Sequence, residues 1–246
     1  MKEIVLKNKE AFKKVLSSYE VSDHARDTLR ELDYVVLVGI AAGGRNTIIN
    51  ELQKSYKYKF IVSDTTRPPK FRDGKMEQEG VNYYFRREED FLDDLTHGMF
   101  LEAELIHDQQ VSGTSIRELQ RVKKENMTAI SEVEFGGAQN IASVKPDTKV
   151  IAIFPPSYEV WQSRLRKRDA MSGQELKNRL ETALKVIDLV ERDENIYIVI
   201  NDEFHHAAER VDRINKQQLS VSTTRERSQE IIDSFRNQIT EHLTSI

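Results

Sequence analysis

The chain has 246 residues, with 37 Lys and Arg against 41 Asp and Glu, for a formal net charge of −4. That balance gives no general electrostatic attraction to nucleic acid or to an anionic membrane, so any anion site must be local. The absence of cysteine excludes disulfides, thiolate catalysis and Cys-ligated zinc. No stretch reaches the ~20 apolar residues of a membrane span, and Met1 to Asn8 holds too short an apolar run for a signal peptide. The expectation is a soluble cytoplasmic protein with neither a membrane nor a nucleic-acid partner.

Residues 1–33 carry two amphipathic helical patterns and read as an N-terminal helical extension. The first uses Ile4, Val5, Phe12, Val15, Leu16 and Tyr19; the second begins at Ser22 or Asp23, either of which can cap it. Tyr34 to Val38 is an apolar run too short for a helix and without period-two polarity, which predicts a central parallel strand covered on both faces. Gly39, Gly43 and Gly44 follow, free to take positive φ and to let backbone approach a ligand. Ile48, Ile49 and Leu52 share one helical face, so the turn opens a helix whose unpaired N–H groups and positive dipole end stabilise an anion. Gly39 and Gly44 fit the phosphate-loop spacing GxxxxGK[ST], with Arg45 in the lysine place and Asn46 in the hydroxyl place. Arg45 keeps the charge on a planar fork, and Thr47 is the nearest hydroxyl for a magnesium ion.

Tyr58 to Val62 predicts a second strand, ended by Ser63-Asp64-Thr65-Thr66-Arg67-Pro68-Pro69-Lys70. Hydroxyls and cations at the carboxyl end of a parallel strand lie where ligands bind in open α/β sheets. A polar stretch from Phe71 to Gly80 and a β-rich piece, Val81 to Phe85, come next. A helix from Glu88 to His97 and β-like pieces at Phe100 to His107 and Gln110 to Ser112 follow. These short pieces predict a small inserted antiparallel subdomain. Ser115 with Glu118 forms a capping-box pattern opening a helix to Asn126.

Beyond it, the strand from Met127 ends at Glu132 and Glu134, and a helix follows near Ala138 to Val144. A strand from Lys149 to Phe154 and a helix from Ser157 through Trp161 and Leu165 come next. Ser172 with Glu175 opens a long helix carrying Arg179; a strand from Ile196 to Ile200 and a helix from Glu203 to Lys216 close the series. Strand and helix alternate throughout, which predicts a parallel sheet with right-handed crossovers. Arg164, Arg166, Lys167 and Arg168 read in isolation as a solvated helix end. His205 and His206 are adjacent and point about 100° apart on a helix, so they do not chelate one metal. Residues 217–246 read as a C-terminal helical extension, with a third capping pattern at Thr223 and Glu226. Its apolar stripe, Ile231, Ile232, Phe235, Ile239 and Leu243, needs cover from the body or from a second copy.

In this order the pieces resemble the guanylate kinase family over about residues 34 to 215. The Gly39 loop resembles its ATP-binding loop, and Ser63-x-Thr65-Thr66-Arg67-x-Pro69-Lys70 its STTRxPR segment with lysine in the second basic place. Asn82-Tyr83-Tyr84-Phe85 resembles DYxF; Gly98-x-Phe100-Leu101-Glu102-Ala103 and Gly113-Thr114-Ser115 are similar to GxFLExA, with the alanine one place early, and to YGTS. Glu132-Val133-Glu134-x-x-Gly137-Ala138 resembles [DE]IDxQGA, and Pro155-Pro156-Ser157 its PPS turn. Arg164, Arg168 and Arg179 match the spacing of its lid arginines. The chain departs from the pattern at Ala42, Arg45, Asn46, Ser112, Gly136 and Lys167, and about four extra residues separate Arg67 from Tyr83.

The resemblance implies an α/β fold of the P-loop NTPase type over 34–216, with an inserted NMP-binding subdomain at about 63–114 and a helical lid at about 156–180. It implies transfer of the ATP γ-phosphoryl group to GMP or dGMP with Mg²⁺. ATP would be held by Gly39, Ile40, Ala41, Ala42, Gly43, Gly44, Arg45, Asn46, Thr47 and Arg164, with Thr47 toward the metal. GMP would be held by Ser63, Arg67, Lys70, Tyr83, Glu102, Thr114, Glu132 and Glu134. Glu102 would accept the paired N1–H and 2-amino donors of guanine. Arg45, Lys70, Arg168 and Arg179 would stabilise the transferring group. Replacement of the loop lysine by Arg45 leaves a second reading open, a catalytically silent binding module for a nucleotide or phosphorylated partner. RNA binding through the Arg164 to Arg168 cluster lacks interleaved aromatics and a wider basic face. The terminal helices are a candidate surface for a homodimer.

Overall fold

The computed structural model describes residues 6–72, 75–106, 108–133, 135–168 and 172–245, the side chains of Arg72 and Arg168 excepted. Helices α1 (Lys9–Leu16) and α2 (Asp23–Arg30) come first; Ser22 caps α2, its hydroxyl accepting the Ala25 N–H at 3.2 Å. Ile4 and Val5, counted toward the first helical pattern, lie outside the described residues. Strand β1 (Tyr34–Gly39), five of its six residues buried, leads into α3 (Arg45–Ser55). Then come β2 (Tyr58–Phe60), β3 (Asp64–Thr65), β4 (Phe71–Arg72), β5 (Lys75–Met76), β6 (Tyr84–Phe85), α4 (Glu88–Thr96), β7 (Phe100–Ile106) and β8 (Gln110–Ser115). The alternation continues through α5 (Ile116–Lys124), β9 (Thr128–Glu132), α6 (Phe135–Val144), β10 (Lys149–Phe154), α7 (Tyr158–Arg168), α8 (Gly173–Arg192), β11 (Tyr197–Ile200) and α9 (Phe204–Asn215). Helices α10 (Val221–Glu226) and α11 (Gln229–Ser245) end it.

The chain divides into two compact units, Met1–Asp33, Lys59–Ala129 and Ser143–Pro146 forming one, and Tyr34–Tyr58, Ile130–Ala142 and Asp147–Ile246 the other. The central sheet, flanked by helices, is ordered β11-β10-β1-β9-β2 among the described residues, and its strands β11, β10 and β1 lie in the second unit. β1 runs parallel to β10 from Val35 opposite Lys149 to Gly39 opposite Ile153, and β10 runs parallel to β11. A strand buried on both faces needs apolar residues at every position, which is why Tyr34 to Val38 lacks alternation. Trp161, Phe154 and Phe235 are fully buried here and join α7, β10 and α11. Ser172 caps α8 as its spacing predicts, accepting the Glu175 N–H at 3.2 Å. The third capping pattern is displaced: Ser220, not Thr223, caps α10, and α11 starts separately at Gln229.

In the first unit the sheet order is β6-β3-β8-β7. The pairs β3–β8 and β7–β8 are antiparallel as expected, but β3 and β6 are parallel, so the all-antiparallel expectation is corrected. Phe12 of α1 packs edge-on against Phe91, which stacks on Phe100 at 4.4 Å. Each such buried ring contributes about 2–3 kcal/mol. The Tyr19 hydroxyl donates to the Phe100 carbonyl at 2.5 Å, and the Glu88 carboxylate accepts the Asn8 N–H at 2.8 Å, tying α1 to this core.

The Ser115–Glu118 capping box does not form. Ser115 stands at the N-cap, but its hydroxyl donates to Asp64 at 3.3 Å. Glu118, 1% exposed, accepts from the Val62 N–H, the Tyr84 hydroxyl and the Arg121 guanidinium instead. A buried carboxylate needs a cation and several donors, and the local cap offers only one N–H.

Candidate functional site

In the second unit β1, the glycine turn and α3 form a loop in which the Ile40, Ala41 and Gly43 carbonyls are taken by other protein donors. The Ile40 carbonyl accepts the Gly43 N–H at 3.1 Å, and the Ala41 carbonyl accepts the Trp161 indole N–H at 2.7 Å. The Gly43 carbonyl accepts the Asn201 amide at 2.8 Å and Arg164 at 3.4 Å. Gly44, at φ 99°, precedes α3 and provides no side-chain cap. These three carbonyls are thus occupied while the start of α3 has no side-chain cap on its N–H groups, an arrangement that favours an anion. A Cβ on Gly44 would lie 2.1 Å from the Asn201 amide nitrogen. Gly43 is not left-handed, correcting the expectation; Ala42 is, at φ 59°. Gly43 answers instead to space, since a Cβ there would approach the Ile153 carbonyl to 3.0 Å.

This loop borders a cavity of about 600 Å³ lined by Ala42 to Thr47, Glu132, Arg164 and Asn201 to Phe204. Arg164 is half-buried and donates to the Gly43 and Asn201 carbonyls; among the described residues no carboxylate pairs with it. Burial holds its pKa below the ordinary arginine value. Arg45 Nε lies 3.7 Å from Glu132, and the Asn46 amide, oriented to donate, meets the same carboxylate at 2.5 and 3.1 Å. Glu132 therefore belongs to the loop cavity. Thr47 is exposed and lines it. Arg179 pairs with Glu175 at 2.9 Å one turn away, and its Nε is buried without a partner. The Arg168 side chain and Glu134 lie outside the described residues.

Sequence reasoning missed Asn201 to Phe204 and Trp161. Asn201 to Glu203 directly follow an apolar strand, so their place at its carboxyl end was the available signal. Trp161 gave none beyond its place on an apolar helical face.

In the first unit the strand-end cluster around β3 assembles about Arg67, 2% exposed. Its guanidinium donates to Glu77 at 2.5 and 2.9 Å and to the Pro68 carbonyl at 3.0 Å, and stands 4.7 Å over the Tyr83 ring. Glu77 also accepts the Lys70 main-chain N–H at 2.9 Å, closing the base of the β4–β5 hairpin; the Lys70 side chain is exposed. Glu77 escaped sequence reasoning because the polar stretch has no period. Ser63 contributes its carbonyl to the Tyr84 N–H. Glu102 faces Thr114 across the β7–β8 ladder. Desolvation raises the Glu102 pKa against the lowering effect of the Thr114 hydroxyl and N–H. Ser112 turns its hydroxyl to Thr65 at 2.8 Å.

A larger cavity, about 810 Å³, opens between α7 and α11, but the glycine loop does not border it. Size alone does not locate the chemistry. Among the described residues no group of three acidic or histidine side chains could hold a metal by itself.

The guanylate kinase family model matches residues 31–218. The chain belongs to the guanylate kinase family. A guanylate kinase from Synechococcus sp. (strain JA-3-3Ab) is 35% identical over 186 residues, 73% of this chain and 80% of its own. One from Corynebacterium glutamicum is 34% identical over 182 residues, 73% and 93% of the two chains. The crystal structure of guanylate kinase from Anaplasma phagocytophilum is 24% identical with a TM-score of 0.54, covering 75% of this chain and 85% of that one. It supports the α/β, P-loop NTPase-type fold. Helices α10 and α11 lie beyond the family match. No helix among the described residues is long and apolar enough to cross a membrane.

Proposed function

We propose that the chain transfers the γ-phosphoryl group of ATP to GMP or dGMP, giving ADP and GDP or dGDP. The observation that carries this reading is Arg164, a half-buried guanidinium beside the glycine loop with no carboxylate partner among the described residues. An unneutralised cation held out of water next to an uncapped helix start favours a phosphate there. ATP would lie on Gly39 to Thr47 with Arg45 and Arg164, and the acceptor phosphate on Arg67, Lys70, Ser63 and Tyr83. Glu102, with Thr114 opposite, would take the two guanine donors, and an acceptor without that pair would strand a buried carboxylate. Arg168 and Arg179 would stabilise charge on the transferring group after the Arg179–Glu175 pair opens.

Magnesium fits this donor set, because Thr47 and Glu132 border the loop cavity and Mg²⁺ is usually held by one or two protein ligands with substrate phosphates and waters. When bound, it would offset charge on the β- and γ-phosphates. The silent-module reading draws on one observation: Arg45, in the lysine place, is already partnered by Glu132. A coupled ADP-release assay with MgATP and each nucleoside monophosphate separates the two. GMP-dependent turnover is expected, and folded protein without it would leave the silent module.

A further inference from the structure

Ala42 stands at φ 59°, a left-handed conformation that an alanine adopts only when its surroundings hold it there. The peptide before it is held by one bond from a side chain, the Trp161 indole N–H to the Ala41 carbonyl at 2.7 Å. Trp161 is fully buried, and its ring is backed by Phe235 of α11 at 5.9 Å and by Tyr158 at 5.8 Å. Helix α11 is itself fixed by Arg236 to Asp188 and Glu191 of α8, at 2.8 and 2.5 Å, and by His242 to Tyr158 at 2.5 Å. A buried indole N–H needs an acceptor, and the one it takes here is the carbonyl of the loop residue directly before the left-handed Ala42.

We infer that Trp161 is a positioning residue for the Gly39–Thr47 loop, and that the C-terminal helix α11, outside the family match, is the brace that keeps its indole in place. The inference rests on reading this loop as the donor phosphate site. Its structural part, the hold on Ala41 and Ala42, is tested separately from nucleotide binding. The indole bond holds the Ala41 carbonyl against α7 and so restrains the peptide that follows. Losing it removes both the bond and the restraint on the strained residue beside it.

The test is amide hydrogen exchange on W161F, which keeps a buried aromatic ring but loses the N–H, with steady-state kinetics on the same protein. Exchange across residues 40–47 should rise about tenfold, the consequence expected of one lost buried hydrogen bond, while β10 and β11 keep wild-type protection. The KM for ATP should rise about fivefold with the KM for GMP within about twofold, a split that a general loss of packing does not produce. F235L, which touches the brace and not the loop, should loosen the same segment to a smaller degree, and it carries the test should W161F not fold. Unchanged exchange at 40–47, or loosening spread equally over the sheet, overturns the inference. Trp161 is the single tryptophan of the chain, so its emission also reports on the loop. Titration with MgADP should shift it, and calorimetric binding without any shift counts against the inference. If wild-type protein binds no MgADP while W161F still loosens 40–47, the donor-site reading falls and the positioning role stands.

Discussion

Arg67 and Glu77 form a two-pronged ion pair, at 2.5 and 2.9 Å, in which both side chains are almost fully buried, 2% and 6% exposed. The carboxylate fixes the plane of the guanidinium over Tyr83 before any ligand arrives. Glu77→Ala should leave an uncompensated buried cation and cost about 3 kcal/mol in chemical denaturation. It should also raise the KM for GMP with little change in that for ATP. An equal rise in both constants would show that Glu77 serves the fold and not the acceptor side.

Glu102 carries a pH signature. Desolvation raises its folded-state pKa above the usual 4.5, so the native carboxyl holds its proton more tightly than the unfolded chain does. The ionised form therefore costs stability at neutral pH, and that cost fades as pH falls through the raised value toward 4.5. Glu102→Gln should melt at a higher temperature than wild type at pH 7, with the difference vanishing near pH 4.5. The same variant should lose about a hundredfold or more in kcat/KM for GMP while changing little for acceptors without the donor pair. A uniform loss across acceptors would remove Glu102 from base recognition.

Glu118 separates two explanations by magnitude. As a capping-box residue it would contribute about 1 kcal/mol; as a buried acceptor for Val62, Tyr84 and Arg121 it should cost about 3 kcal/mol when replaced by alanine. Urea unfolding of Glu118→Ala reads the difference directly.

Arg45 stands where the phosphate-loop pattern has lysine. If it supplies charge to the donor phosphates, Arg45→Lys should keep kcat within about tenfold and Arg45→Ala should lose about a hundredfold or more. Equal activity of all three proteins in the coupled assay would show that Arg45 serves only its pair with Glu132.

Much of the fold was legible because its signals are local. The apolar run Tyr34 to Val38, the glycines at 39 and 44, the cap at Ser172 and the alternation of strands and helices each follow from periodicity or capping within a few residues. Local signals also misled. Ser115 with Glu118 and Thr223 with Glu226 have capping spacing, yet Glu118 is drawn to Arg121, Val62 and Tyr84, and Ser220 takes the cap of α10. Spacing alone does not say whether a carboxylate will be solvated or buried.

By itself the sequence determined the class of fold, the place of the glycine loop and the identity of the cations near it. Only the tertiary structure decided their partners: Glu132 beside Arg45, Glu77 across Arg67, Trp161 on the Ala41 carbonyl 120 positions away. The physical reason is range. Backbone conformation is set by neighbours along the chain, whereas pairing of a buried charge or a strained peptide is set by whatever distant side chain folding brings within about 3 Å.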